Sequence, residues 1–138
     1  MDLFTYGSLM FPAVWERVTG LTGPGIPARL ADYAARRVQG RPYPALVPAA
    51  GETTRGRLYQ NLAPDIMVQL DTFEGEFYER VEVILHLAHS MTTVAWVYRA
   101  SQPSGPEILP DTWDAKHFAR EDLPAFLRED PGFSGRRR

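Results

Sequence analysis

Phe77-Tyr78-Glu79-Arg80-Val81-Glu82-Val83-Ile84-Leu85-His86-Leu87 and Thr92-Thr93-Val94-Ala95-Trp96-Val97-Tyr98-Arg99-Ala100 are two runs rich in β-branched and aromatic residues, separated by a short His89-Ser90-Met91 link. Side chains of that kind suit the pleated, half-buried surface of a strand. Two such runs joined by so short a link predict an antiparallel hairpin. Immediately upstream, Pro64 opens a stretch in which Ile66, Met67, Leu70 and Phe73 keep helical spacing, and Gly75 supplies the conformation that ends it. Glu74 therefore falls at the C-terminal edge of a helix that runs into the hairpin.

Farther out, Leu3-Phe4-Thr5-Tyr6 reads as a strand that stops in a tight turn at Gly7. Phe11, Val14, Trp15 and Val18 then recur at i, i+3, i+4 and i+7, with Pro12 at a first helical position and Gly20 as the C-terminal cap. Past the Gly23 to Pro27 connection, Ala28 to Val38 and Ala45 to Val47 are expected as strands around a turn carrying Gly40 and Pro42. Thr53 to Gln60 is expected as a separate strand after a turn at Gly51. Gln102 to Pro110 reads as a connection, and Trp113 to Glu129 as a terminal helical region broken near Pro124. Several β-runs, interspersed helices and few crossovers predict an α+β domain on a barrel-like, mostly antiparallel sheet.

Composition narrows the function classes. A chain of 138 residues with 44% hydrophobic content is sized for one domain with a real core. That domain is expected over residues 1–130, with 131–138 a flexible basic tail ending in Arg136-Arg137-Arg138. There is no cysteine, so disulfides, thiolate metal sites and a cysteine nucleophile are excluded. A net charge of -2 provides no field for nucleic acid. With no apolar run near the roughly 20 residues of a membrane helix and no leader, the chain is expected to be soluble and cytoplasmic, as a monomer or weak homodimer.

Three segments occur together in order: Tyr6-Gly7-Ser8-Leu9-Met10, Tyr43-Pro44-Ala45-Leu46-Val47-Pro48, and Leu70-Asp71-Thr72-Phe73-Glu74-Gly75 ahead of Tyr78-Glu79-Arg80. This combination resembles the γ-glutamylcyclotransferase-like superfamily, which includes the AIG2-like and YtfP-like proteins, and the likeness runs to about Tyr98. The resemblance implies a small β-barrel with flanking helices and release of 5-oxoproline from a γ-glutamyl compound. It also implies that Tyr6, Gly7, Ser8 and Leu9 hold the γ-glutamyl moiety, largely through main-chain groups, and that Glu74 is the catalytic residue. The partner so implied is a small γ-glutamyl molecule, and no cofactor is needed for a rearrangement within one substrate.

The chemistry constrains these residues independently. Forming 5-oxoproline requires the α-amino group to lose a proton, attack the side-chain amide carbonyl and expel an amine that regains a proton. An ordinary glutamate near pKa 4.3 removes a proton from an amine near 8 at a cost of about 5 kcal/mol. Burial and the negative end of the helix both raise a carboxyl pKa, so Glu74 is expected to titrate above its usual range. A small residue such as Gly7 lets main-chain donors approach an oxyanion closely.

Other assignments compete with these. Glu76 and Glu79 are second choices for the base, and alternation puts Glu79 on the face opposite Tyr78 and Arg80. Arg80 either meets a substrate carboxylate or makes a structural ion pair with a nearby acid. Ser8 has no neighbouring histidine or lysine in sequence and reads as a turn serine rather than a nucleophile. Tyr6 is either a core aromatic or a ligand contact, and Tyr43, Tyr78 and Arg80 are candidates for the surroundings of the site. His86 and His89 point to opposite faces if both lie on a strand, and lack a third ligand, so no metal is expected. Trp15, Trp96 and Trp113 are expected in the core and the pocket wall. The alternative to an enzyme is a non-catalytic small-molecule-binding domain on the same scaffold. A protein-interaction module has only the arginine tail in its favour.

Overall fold

The computed structural model describes residues 1–101 and 106–128. The expected hairpin is its longest simple ladder. β4 (Tyr78–His86) and β5 (Thr92–Ala100), numbered in chain order, pair antiparallel from Tyr78↔Ala100 to His86↔Thr92. The link is a 3-10 turn, Ala88–Ser90, in which His89 and Ser90 both take positive φ near 61°. His89 therefore lies beyond the strand that carries His86.

The barrel closes around this hairpin. β1 (Leu3–Thr5) lies between β3 (Pro44–Tyr59) and β5, antiparallel to β3 and parallel to β5. β2 (Ile26–Val38) bridges β4 to β3 and so completes a five-strand circuit. The mostly antiparallel sheet thus has one parallel pair, β1–β5. Alternation divides the core in two: Leu3 joins a helix-facing cluster, whereas Phe4 joins Leu30, Leu46, Leu58, Leu85 and Val97 in the other.

Two expectations about strands are corrected. The expected strands Ala45–Val47 and Thr53–Gln60 are one element, because the chain bulges at Gly51 instead of turning back. Ala49 to Glu52 stand opposite the single residue Asp32, whose carboxylate accepts from the Gly51 N–H at 2.9 Å. The end of the expected Gln102–Pro110 connection belongs to β6 (Ile108–Thr112), which pairs with β2 through Arg36↔Thr112 and Val38↔Ile108. Pro110 is tolerated there because β6 is an edge strand. Residues 102–105 of that connection, and 129–138 with the arginine tail, lie outside the described residues.

The helices follow their sequence signals. α1 (Pro12–Thr19) starts on Pro12 and stops at Gly20, with φ 77° and its N–H on Glu16 O at 2.7 Å. α2 (Pro64–Glu74) buries Met67, Leu70, Phe73 and Glu74. The C-terminal stretch is α3 (Ala115–His117), a π turn (Phe118–Asp122) and α4 (Leu123–Arg128). The wider π turn comes just before Pro124, whose missing N–H and ring disrupt a regular i→i−4 ladder. Phe118 is fully buried against Phe11, Trp113 and Phe126.

Candidate active site

The last turn of α2 delivers Glu74 to a cavity. Its chain reverses at Gly75, whose φ of 78° and ψ of -168° are accessible essentially to glycine alone. The Gly75 N–H closes the helix on Asp71 O at 3.0 Å. With the helix ended there, Glu74 is 8% exposed and lines a space of about 320 Å³, part of it open to solvent. Phe4, Thr5, Tyr6, Gly7, Ser8, Leu9, Pro44, Tyr78 and Tyr98 line it with Glu74.

Opposite the helix, the chain leaves β1 at Thr5 and forms a 3-10 turn, Ser8–Met10, closed by Met10 N on Gly7 O at 3.0 Å. Gly7 has φ of -127°, so the position does not require a left-handed residue. Space requires the glycine: a Cβ there would lie 2.9 Å from both Cγ and Cδ of Pro44. The turn and the first residue of β3 thus form one wall.

Tyrosine hydroxyls tie the walls together. Tyr6 donates to Tyr98 O and Tyr78 donates to Pro44 O, each at 2.6 Å. The Tyr98 hydroxyl donates to Oδ1 of Asp71 at 2.6 Å. Arg80 grips the same carboxylate through Nε at 2.7 Å and Nη2 at 3.1 Å, and lies 4.9 Å from the Trp96 ring centroid. Burial first, then the Asp71 hydrogen bond and the charge of Glu74, push the Tyr98 phenol far above its ordinary range.

The structure therefore gathers Tyr6, Gly7, Ser8, Leu9, Glu74 and Tyr78 around one space, and leaves Tyr43 and Arg80 outside it. Tyr43 is buried in the core 6.3 Å from the Tyr78 ring, and its neighbour Pro44 reaches the cavity instead. Arg80 makes the structural ion pair. Glu79 is paired with Arg99 at 2.9 Å and Glu76 is exposed, so neither borders the cavity. No tryptophan lines it either: Trp15 stacks on Tyr59 at 3.7 Å, and Trp113 Nε1 donates to Pro42 O at 2.7 Å. The lining holds no histidine, lysine or arginine. Among the described residues no cluster of three metal-binding side chains occurs, and no helix is long and apolar enough to cross a membrane.

Phe4, Thr5, Pro44, Tyr98 and the supporting Asp71 were not singled out from sequence. For Tyr98 a signal existed: folding the two hairpin runs about His89 sets Tyr98 opposite Arg80, which is the observed register.

Comparison with known proteins agrees with this architecture. The family model described as "Gamma-glutamyl cyclotransferase, AIG2-like" matches residues 3–115. AIG2-like protein D of Arabidopsis thaliana is 28% identical over 135 residues, covering 96% of this chain and 88% of that protein. A solution structure of another Arabidopsis thaliana protein superposes with a TM-score of 0.71 at 26% identity, over 91% of this chain and 85% of the other. A structure named as γ-glutamyl cyclotransferase shares the fold, with a TM-score of 0.66 at 16% identity over 79% and 71% of the two chains. The chain belongs to the AIG2-like γ-glutamyl cyclotransferase family.

Proposed function

We propose that this protein is a γ-glutamylcyclotransferase-type enzyme that releases 5-oxoproline from a γ-glutamyl amine or γ-glutamyl amino acid, with Glu74 as general base and then general acid. One juxtaposition supports the reading above all: the buried carboxyl of Glu74 borders the same cavity as the Tyr6-Gly7-Ser8-Leu9 turn. Glu74 is the one carboxylic acid among the lining residues.

In this mechanism the α-amino nitrogen attacks the γ-carbonyl carbon while Glu74 takes the amine proton. A tetrahedral intermediate forms, its negative charge on the former carbonyl oxygen. The C–N bond to the leaving amine then breaks as Glu74 returns the proton to that nitrogen, giving 5-oxoproline and a free amine. Main-chain N–H groups of the Gly7 to Leu9 turn are assigned to the oxyanion, where one good donor is worth about 2.7–4 kcal/mol. In these two roles Glu74 must be ionised when it takes the amine proton and protonated when it returns it, and its burial keeps both transfers away from bulk water.

The deciding experiment incubates purified protein with a panel of γ-glutamyl amines, γ-glutamyl amino acids and glutathione, and quantifies 5-oxoproline. Turnover by wild type, lost in Glu74→Gln with ligand binding retained, is expected. Binding across the panel without turnover in wild type would assign the chain instead to a small-molecule-binding role on this scaffold.

A further inference from the structure

A phenolic hydroxyl has one proton to donate, and in Tyr98 that proton is committed to Asp71. The commitment is built from three elements. Asp71 stands one turn before Glu74 on α2, Arg80 stands on β4, and Tyr98 lies directly opposite Arg80 on β5. The two-point grip of Arg80 fixes the carboxylate plane, because a planar guanidinium meets a carboxylate side-on in a narrow range of orientations. Trp96 backs the guanidinium from a third direction. Asp71 cannot rotate away without breaking both partners' contacts.

We propose that Asp71 and Arg80 are positioning residues that make the Tyr98 hydroxyl an acceptor toward the cavity, and that this acceptor beside Glu74 selects ligands presenting an ammonium group there. For a γ-glutamyl compound that group is the α-amino nitrogen, an identification that rests on the cyclotransferase reading. With the O–H turned to Asp71, only oxygen lone pairs remain for a ligand. An ammonium N–H is complementary to them; a carboxylate or ether oxygen is not. The lining residues include no cation, so a positive group on the ligand meets no like charge there. The Tyr98 phenol stays protonated and uncharged; Tyr98 and Glu74 line the same cavity, and Glu74 follows one turn after the Asp71 that the phenol binds.

The test uses the full-length protein and two ligands that differ by one group: γ-glutamyl methylamide, and glutaric acid monomethylamide, which lacks the α-amino group. Dissociation constants are measured before turnover for wild type, Tyr98→Phe and Asp71→Asn, with 5-oxoproline quantified in parallel and folding checked by thermal unfolding. Wild type prefers the amino ligand; Tyr98→Phe weakens that ligand by about tenfold or more and leaves the des-amino ligand within about twofold. Asp71→Asn, whose amide can donate to the phenol oxygen, erodes the same preference; if it does not fold, Tyr98→Phe decides alone. Equal weakening of both ligands, an unchanged preference in Tyr98→Phe, or failure of wild type to bind either ligand overturns the proposal. If 5-oxoproline is released while the preference ignores these variants, the assignment of Tyr98 fails and the cyclotransferase reading stands. If the variants lose the preference while wild type releases no 5-oxoproline, the ammonium-selecting role of Tyr98 stands and the cyclotransferase reading fails.

Discussion

The β4–β5 hairpin is one ladder with two unlike ends. Arg80↔Tyr98, Glu82↔Trp96 and Ile84↔Val94 are successive pairs on the same face. At the first pair the face is covered by α2, and both residues are bound to Asp71. At the third pair it is open, with Ile84 62% and Val94 53% exposed. An identical alternation therefore produces a hydrogen-bonded cavity wall where a helix crosses it and a solvated apolar surface where none does. The covering element, rather than the strand alternation, decides which end becomes a cavity wall.

Substitutions at the two ends should differ accordingly. Glu74→Gln removes the proposed proton carrier at the covered end and is expected to lower kcat by about 10²–10⁴-fold with the fold retained, read from 5-oxoproline release. Gly56→Ala tests how tightly that side of the barrel is built: a Cβ would sit 2.0 Å from Thr5 O and 2.7 Å from the Phe4 ring, both cavity residues. Backbone must move, and a loss of about 3 kcal/mol or more is expected in denaturant unfolding.

Tyr98→Phe separates stability from selectivity. The unfolded chain releases its tyrosine protons near pH 10, whereas folded Tyr98 keeps its own well above that range. The folded state then binds more protons, so stability falls as pH rises past about 10, by up to about 1.4 kcal/mol per unit. The variant should lose less unfolding free energy than wild type across that alkaline interval. Smallest of all, Val94→Thr at the open end should change stability by no more than about 0.5 kcal/mol and leave turnover unchanged. A large effect there would mean that the open end is coupled to the cavity.

Sequence showed the parts whose causes are local. Pro12 with Gly20, and Pro64 with Gly75, mark the two full helices because capping depends on a few adjacent residues. The hairpin was legible for the same reason. β6 was hidden by Pro110 and by the glycine- and proline-rich run before it, since only its pairing with β2 makes Ile108 to Thr112 a strand. Gly51 looked like a turn because the bulge that keeps β3 continuous depends on Asp32, nineteen residues earlier. Gly7 was noticed as a glycine beside the site, but not the contact with Pro44 that demands one. The Asp71–Tyr98 bond spans 27 residues and joins a helix to a strand, a contact that no local pattern announces.

The pH dependence of kcat/KM for 5-oxoproline formation, measured for wild type and Glu74→Gln with the best substrate of the panel, bears most directly on the proposed chemistry. A carboxylate base gives a wild-type rate that falls on the acidic side as Glu74 becomes protonated, and Glu74→Gln should retain only a low activity without that acidic limb. Turnover by Glu74→Gln at the wild-type rate, with the acidic limb intact, would contradict the assignment of proton transfer to this carboxyl group.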